Sequence, residues 1–96
     1  MAFIQIVEMR TTNVDEMLKL EQEWRQATEG KRTLRRGIVG RDRNDPERHL
    51  IVAFFDSYES AMENSNLPET QEFAQKQTAL AEAVQFIDLD VIDDQS

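Results

Sequence analysis

The 96 residues, 40% apolar and 31% charged, have the size and balance of a single soluble domain, 1-96. With no cysteine and one histidine, the chain excludes disulfides, thiolate chemistry and a cysteine or multi-histidine metal site; the metal expectation is none. A net charge of −8 argues against bulk attraction to nucleic acid or anionic membrane, although residues 31–48 hold seven of the eleven basic residues and stand at +4 against −12 elsewhere.

The first apolar run, Phe3 to Met9, places Phe3, Gln5, Val7 and Met9 on one face of a strand and Ile4 and Ile6 on the other. Val14 to Thr28 carries a helical stripe of Val14, Met17, Leu20, Trp24 and Ala27. Asn13 is the expected N-cap, Glu16 its capping-box partner, and Gly30 the stop. Glu21 falls inside that stripe. Its simpler role is a rim carboxylate paired with Arg25 four residues on; its sharper role is a carboxylate beside a pocket. Thr33 to Arg41, arginine-rich with Gly37 and Gly40, has the character of a charged edge strand.

Asp42 to Arg48, containing Asn44-Asp45-Pro46, is turn chemistry leading into Leu50 to Phe55. That strand is apolar on both faces and therefore central. Ser57 is the expected N-cap of a helix carrying Tyr58, Ala61 and Met62. Asn64-Ser65-Asn66 breaks it, and Pro68 opens the next helix, with a buried stripe of Phe73, Gln77, Leu80 and Val84. Phe86 to Ile92 is the last strand. Ile87, Leu89 and Val91 share one face, and Asp88 and Asp90 lie opposite between Phe86 and Ile92.

The order β-α-β-β-α-β predicts an α+β, ferredoxin-like βαββαβ fold with a four-stranded antiparallel sheet. Strands one and three are central, and the helices cover one face only. The opposite face is also apolar and would form a large exposed patch, so the expected partner is a second copy: a homodimer through the sheet face. An acidic last strand meeting the partner's basic second strand, at Arg35 and Arg36, is the expected seam.

His49 is the only histidine, the residue type whose unperturbed pKa lies near neutrality, and stands at the start of the third strand. A surface hairpin histidine is the simpler reading and a general base the sharper. Trp24 is either core or a platform for an aromatic ligand, and Tyr58 either buries its ring or donates into a cleft. Gln77 interrupts a buried stripe, and a buried amide needs partners. His49, Tyr58 and Gln77 are the catalytic candidates.

Leu50-Ile51-Val52-Ala53-Phe54-Phe55-Asp56-Ser57-Tyr58-Glu59-Ser60-Ala61, then Leu67-Pro68, Phe73 and Phe86 to Val91, resemble the dimeric α/β-barrel superfamily, particularly its antibiotic-biosynthesis-monooxygenase-like domains, over nearly the whole chain. The resemblance implies a dimeric α/β barrel built from two sheets, with a cleft between sheet and helices in each subunit. It implies a cofactor-independent monooxygenase or related small-molecule enzyme acting on an aromatic or quinol-like substrate, with no cofactor. Tyr58, Asn64, Asn66, Gln77 and Trp24 are the ligand-binding candidates. The haem-degrading branch carries Asn, Trp and His where this chain has Val7, Leu67 and Gln77, so haem degradation is not implied.

The alternative is a non-catalytic small-ligand-binding or structural dimer of the same fold, favoured by the lack of a tuned acid–base constellation. RNA-recognition domains share the element order, but Arg48 to Phe55 lacks their Gly-aromatic pattern and the chain is acidic, so no nucleic acid is expected. No apolar run approaches the roughly 20 residues that cross a bilayer, and the N-terminus lacks signal-peptide features, so the expectation is a cytoplasmic protein with no membrane partner.

Overall fold

The computed structural model describes residues 1–95. Its elements are β1 (Phe3–Arg10), α1 (Val14–Ala27), β2 (Arg36–Asp42), β3 (Asp45–Phe55), α2 (Tyr58–Asn66), α3 (Pro68–Ala79) and β4 (Glu82–Asp90). The four strands form one antiparallel sheet in the order β2-β3-β1-β4, the ferredoxin-like arrangement, with β1 and β3 central as expected. No helix among the described residues is long and apolar enough to cross a membrane.

Register assigns the side chains to rows across the sheet. On the helix side, Val39, Ile51, Val7 and Phe86 form one row, and Gly37, Ala53, Gln5 and Asp88 form the next. On the open side, Ile38, Val52, Ile6 and Ile87 form one row, flanked by Arg36, Phe54, Ile4 and Leu89. The core lies on the helix side in two clusters. Phe3, Phe55 and Ala61 make one, joined by Leu34, Ala53 and Met62. Val7, Met9 and Met17 make the other, joined by Ile51, Leu80, Ala81 and Val84.

Several boundaries differ from the sequence expectation. β3 begins at Asp45, because Arg43 and Asn44 alone make the turn and Asp42 pairs with Asp45. Pro46, which lacks an N–H, falls in the register irregularity between that pair and Arg41↔His49, where it leaves no ladder bond unmade. The residues 33–35 expected in β2 lie outside the strand, although Arg35 N–H still donates to the Phe54 carbonyl. α3 stops at Ala79. Leu80 caps it, β4 begins at Glu82, and Ala83, at φ 52, sits inside that strand in the bulge opposite Met9. Leu80 and Val84 thus reach the core, but Val84 does so from a strand.

The N-terminus of α1 is also built differently. Asn13 makes no side-chain cap bond. Instead Thr11 Oγ1 accepts from the Asn13 N–H (2.9 Å) and donates to the Leu80 carbonyl (2.7 Å), tying the start of α1 to the end of α3. Gly30, at φ 81, follows α1 as expected. Ser57 does cap α2, with Ser60 completing a capping box.

Candidate functional site

Beneath α1, the row Gly37, Ala53 and Gln5 is too small to fill the space between sheet and helices. Two adjoining cavities result. One, of about 240 Å³, runs towards β4 and α3 over Gln5, Val7, Ala53 and Phe86. The other, of about 210 Å³, runs towards β2 over Gly37, Val39 and Ala53. Glu21, Trp24, Leu34, Ile51 and Ala53 line both. Apolar walls interrupted by a few polar groups are the usual make-up of a small-molecule site.

Trp24 contributes to the lining of both lobes. Its indole N–H donates to Thr70 Oγ1 (2.9 Å), its ring lies 5.9 Å from Phe73 at a 39° tilt, and the Arg32 guanidinium sits 6.0 Å from it. These contacts hold the ring while it still lines the cavities. Trp24 is therefore neither simple core nor a free platform.

Gln77 lies on α3 in the larger lobe and is only 5% exposed, yet its Nε2 has no hydrogen-bond partner. An unpaired buried donor costs about 1–3 kcal/mol, so the fold tolerates Gln77 rather than gaining from it. Asn64 also lines this lobe, but its Oδ1 accepts from the Thr33 N–H (3.2 Å) and holds the loop before β2.

Glu21 lies where three spaces meet: both lobes and a narrow pocket reaching Met9, Thr11, His49 and Gln77. The expected ion pair with Arg25 is not formed. Burial pushes the Glu21 carboxyl above the usual carboxylate range, and Arg25 offsets this only through space.

His49 corrects the surface-hairpin reading. It is 3% exposed, because β3 extends well before it and packs the ring under α1, opposite Met9. Its Nδ1 lies 2.9 Å from the Glu47 carbonyl, and Arg41 Nε–H donates to its Nε2 (3.4 Å). Arginine can only donate, so Nε2 accepts and Nδ1 carries the proton. Both ring nitrogens are therefore engaged within the chain.

Tyr58 and Asn66 stand outside the cleft lining. Tyr58, in the first turn of α2, is 49% exposed and meets Phe3 edge to face at 5.4 Å. Asn66 is exposed at the end of α2. The expected seam of acidic β4 against basic β2 is not laid out on the open face either. Asp88 and Asp90 face the helix side, with Gln5 Nε2 donating to Asp88 (3.3 Å), and Asp56 of the same chain holds Arg35 (2.6 and 2.9 Å). Among the described residues, no cluster of three or more His, Cys, Asp or Glu side chains is placed to hold a metal ion.

The structure thus brings Trp24, Asn64 and Gln77 together and adds Gln5, Glu21 and Thr70. The helical position of Glu21 gave a sequence clue to it. Gln5, an amide in an otherwise apolar strand face, gave a weaker one.

No family model matches this sequence, and no curated protein matches it either. Solved structures do match in fold. A candidate antibiotic biosynthesis monooxygenase from Chloroflexus aurantiacus superposes with a TM-score of 0.76 at 20% identity, covering 100% of this chain and 98% of that one. Rv0793 from Mycobacterium tuberculosis gives 0.80 at 12% identity, covering 100% of both chains. SnoaB, a cofactor-independent oxygenase from Streptomyces nogalater, gives 0.81 at 10% identity, covering 97% and 95%. At these identities the likeness is one of fold: the chain has the ferredoxin-like α+β fold of antibiotic-biosynthesis-monooxygenase-like proteins.

Proposed function

We propose that this chain is a cofactor-independent monooxygenase, or a related small-molecule enzyme, acting on an aromatic or quinol-like substrate in the cleft between sheet and helices. The observation that carries the reading is the pair of adjoining cavities, lined in part by apolar side chains and Trp24, with Gln77 an unpaired donor at the wall. Together they offer a recessed site with apolar walls and several polar groups, of a size for one or two rings. Excluding water and orienting a substrate that itself reacts with O2 is chemistry that needs few catalytic groups. The similarity in fold to SnoaB supports this assignment of class.

A homodimer through the open sheet face belongs to the same proposal. Ile38, Ile87 and Leu89 are each about two-fifths exposed there, beside Ile4, Ile6, Val52 and Phe54, and a patch of that kind favours being covered. A second reading, a non-catalytic small-ligand-binding dimer, is favoured by one observation: both ring nitrogens of His49 and the Oδ1 of Asn64 are spent inside the chain.

Oxygen uptake with a panel of quinols and anthrones separates the two readings. The native chain is expected to consume O2 with at least one of them, and Ala53→Phe, which fills the floor of both lobes, is expected to abolish it. Binding without O2 consumption across the panel would favour the second reading, and no binding at all would remove both.

A further inference from the structure

Two polar groups in the cleft are left without partners by the fold. Gln77 Nε2 is a buried donor with nothing to donate to. Glu21 is a half-buried carboxylate that forms no ion pair with its nearest cation on α1, Arg25. They come from different helices, α3 and α1, yet both line the larger lobe and both line the narrow pocket beside it. The Gln77 Nε2 group can only donate, and the Glu21 carboxylate, when ionised, can only accept. A hydroxyl group, with one hydrogen to give and lone pairs to receive, satisfies both at once.

We propose that Glu21 and Gln77 together form the receptor for a ring hydroxyl, with Glu21 the acceptor of its proton. The inference rests on the cleft being a ligand site and deepens it by assigning the two groups that select a phenol or enol over a bare ring. In the reactive step the substrate O–H bond breaks and the proton bonds to a Glu21 carboxylate oxygen. The electron pair stays on the substrate oxygen, and Gln77 Nε2–H donates to the oxyanion. The product of this step is an electron-rich ring bearing a phenolate or enolate. Burial favours the protonated acid in the folded chain, which makes the carboxylate a stronger base than one in water. The charged and titratable groups facing it are Arg25 on its own helix and His49 from β3; the other residues lining the shared cavities are uncharged.

The test uses 1-naphthol and naphthalene, two probes that differ by one hydroxyl, titrated calorimetrically into the native chain, Glu21→Gln and Gln77→Leu between pH 5 and pH 8. The native chain is expected to prefer 1-naphthol. Glu21→Gln should reduce that preference about tenfold, the usual weight of a hydrogen bond to a charged group, and Gln77→Leu should reduce it by less. Naphthalene should bind all three alike, which also reports that the variants are folded. The native preference should weaken towards pH 5 as Glu21 takes up a proton, and stay flat in Glu21→Gln. Equal native affinity for the two probes, an unmoved 1-naphthol affinity in Glu21→Gln, or equal weakening of both probes in that variant would each overturn the proposal while leaving the cleft in place. Failure of the native chain to bind either probe would overturn the proposal and the cleft reading together.

Discussion

The two faces of this sheet use almost the same residue types and come out differently. On the open side, consecutive rows are filled by Ile38, Val52, Ile6 and Ile87, then by Phe54, Ile4 and Leu89, with Arg36 resting over Phe54 at 5.9 Å. Ion pairs gather at the other end, where Arg48 bridges Glu8 and Asp42 at 3.0 Å each and Arg10 grips Asp45. On the helix side the matching rows are broken by Gly37, Ala53, Gln5 and Asp88. The first surface carries complete apolar rows; the second is hollowed and carries unspent polar groups. In this fold, a face suits association when its rows are complete and ligand binding when one row is missing.

The sharpest way to break that contrast is a charge in the middle of the open face. Val52→Asp should weaken self-association at least about a hundredfold, roughly 3 kcal/mol, because an unpaired carboxylate would have to be buried between sheets. Sedimentation velocity measures this, and a native chain that sediments as a monomer would end the argument for association. Trp24→Ala attacks the other face. Loss of its contacts with Phe73 and Thr70 should destabilise the fold by about 2–4 kcal/mol in urea unfolding and leave self-association intact. Should it dissociate the protein instead, the two faces are not independent.

Gln77→Leu removes a donor that the fold leaves unpaired, so it should cost nothing in stability and could add about 1 kcal/mol, measured in the same unfolding experiment. A clear loss would mean that Gln77 is already satisfied.

The smallest effect expected is one of pH. Glu21 has a raised folded-state pKa, so its contribution to stability is fully present below the ordinary glutamate range and is lost as pH rises through the folded value. Glu21→Gln should therefore be more stable than the native chain near pH 7, with the difference closing in acid. Asp42, Asp45, Asp56 and Glu69 act in the opposite sense. Their pKa values are lowered, chiefly by a backbone hydrogen bond for Asp42 and by Arg10, Arg35 and Lys31 for the others, so their contribution disappears as pH falls. Comparing variant with native at each pH cancels that shared slope.

Much of the fold was legible because β1 and β3 are apolar at alternate and intervening positions alike, which only a central strand tolerates. Element boundaries were less so. Asn44-Asp45-Pro46 looks like a loop, and only pairing shows that a two-residue turn suffices and that Pro46 rides in an irregularity. Leu80 and Val84 continue the periodicity of α3, although the chain leaves the helix between them: burial was readable where geometry was not. In the site, Gln77 and Trp24 stood out as polar or lone aromatic members of apolar stripes. The burial of His49 did not, since it follows from how far β3 extends before it. Nor did the cavity, which arises from Gly37, Ala53 and Gln5 falling in one row across three strands, a coincidence of register.

One further consequence concerns the order in which the molecule can assemble itself. The inner strand β1 is the first made, and one of its two neighbours is β4, so that Ile4 waits for Leu89. β1 can pair with β3 while the rest is being synthesised, but its other edge stays open until the last strand of the sheet exists. Such long-range pairing slows folding and prolongs the exposure of a strand apolar on both faces. The interval before β4 arrives is when this chain is most exposed to pairing with the wrong neighbour.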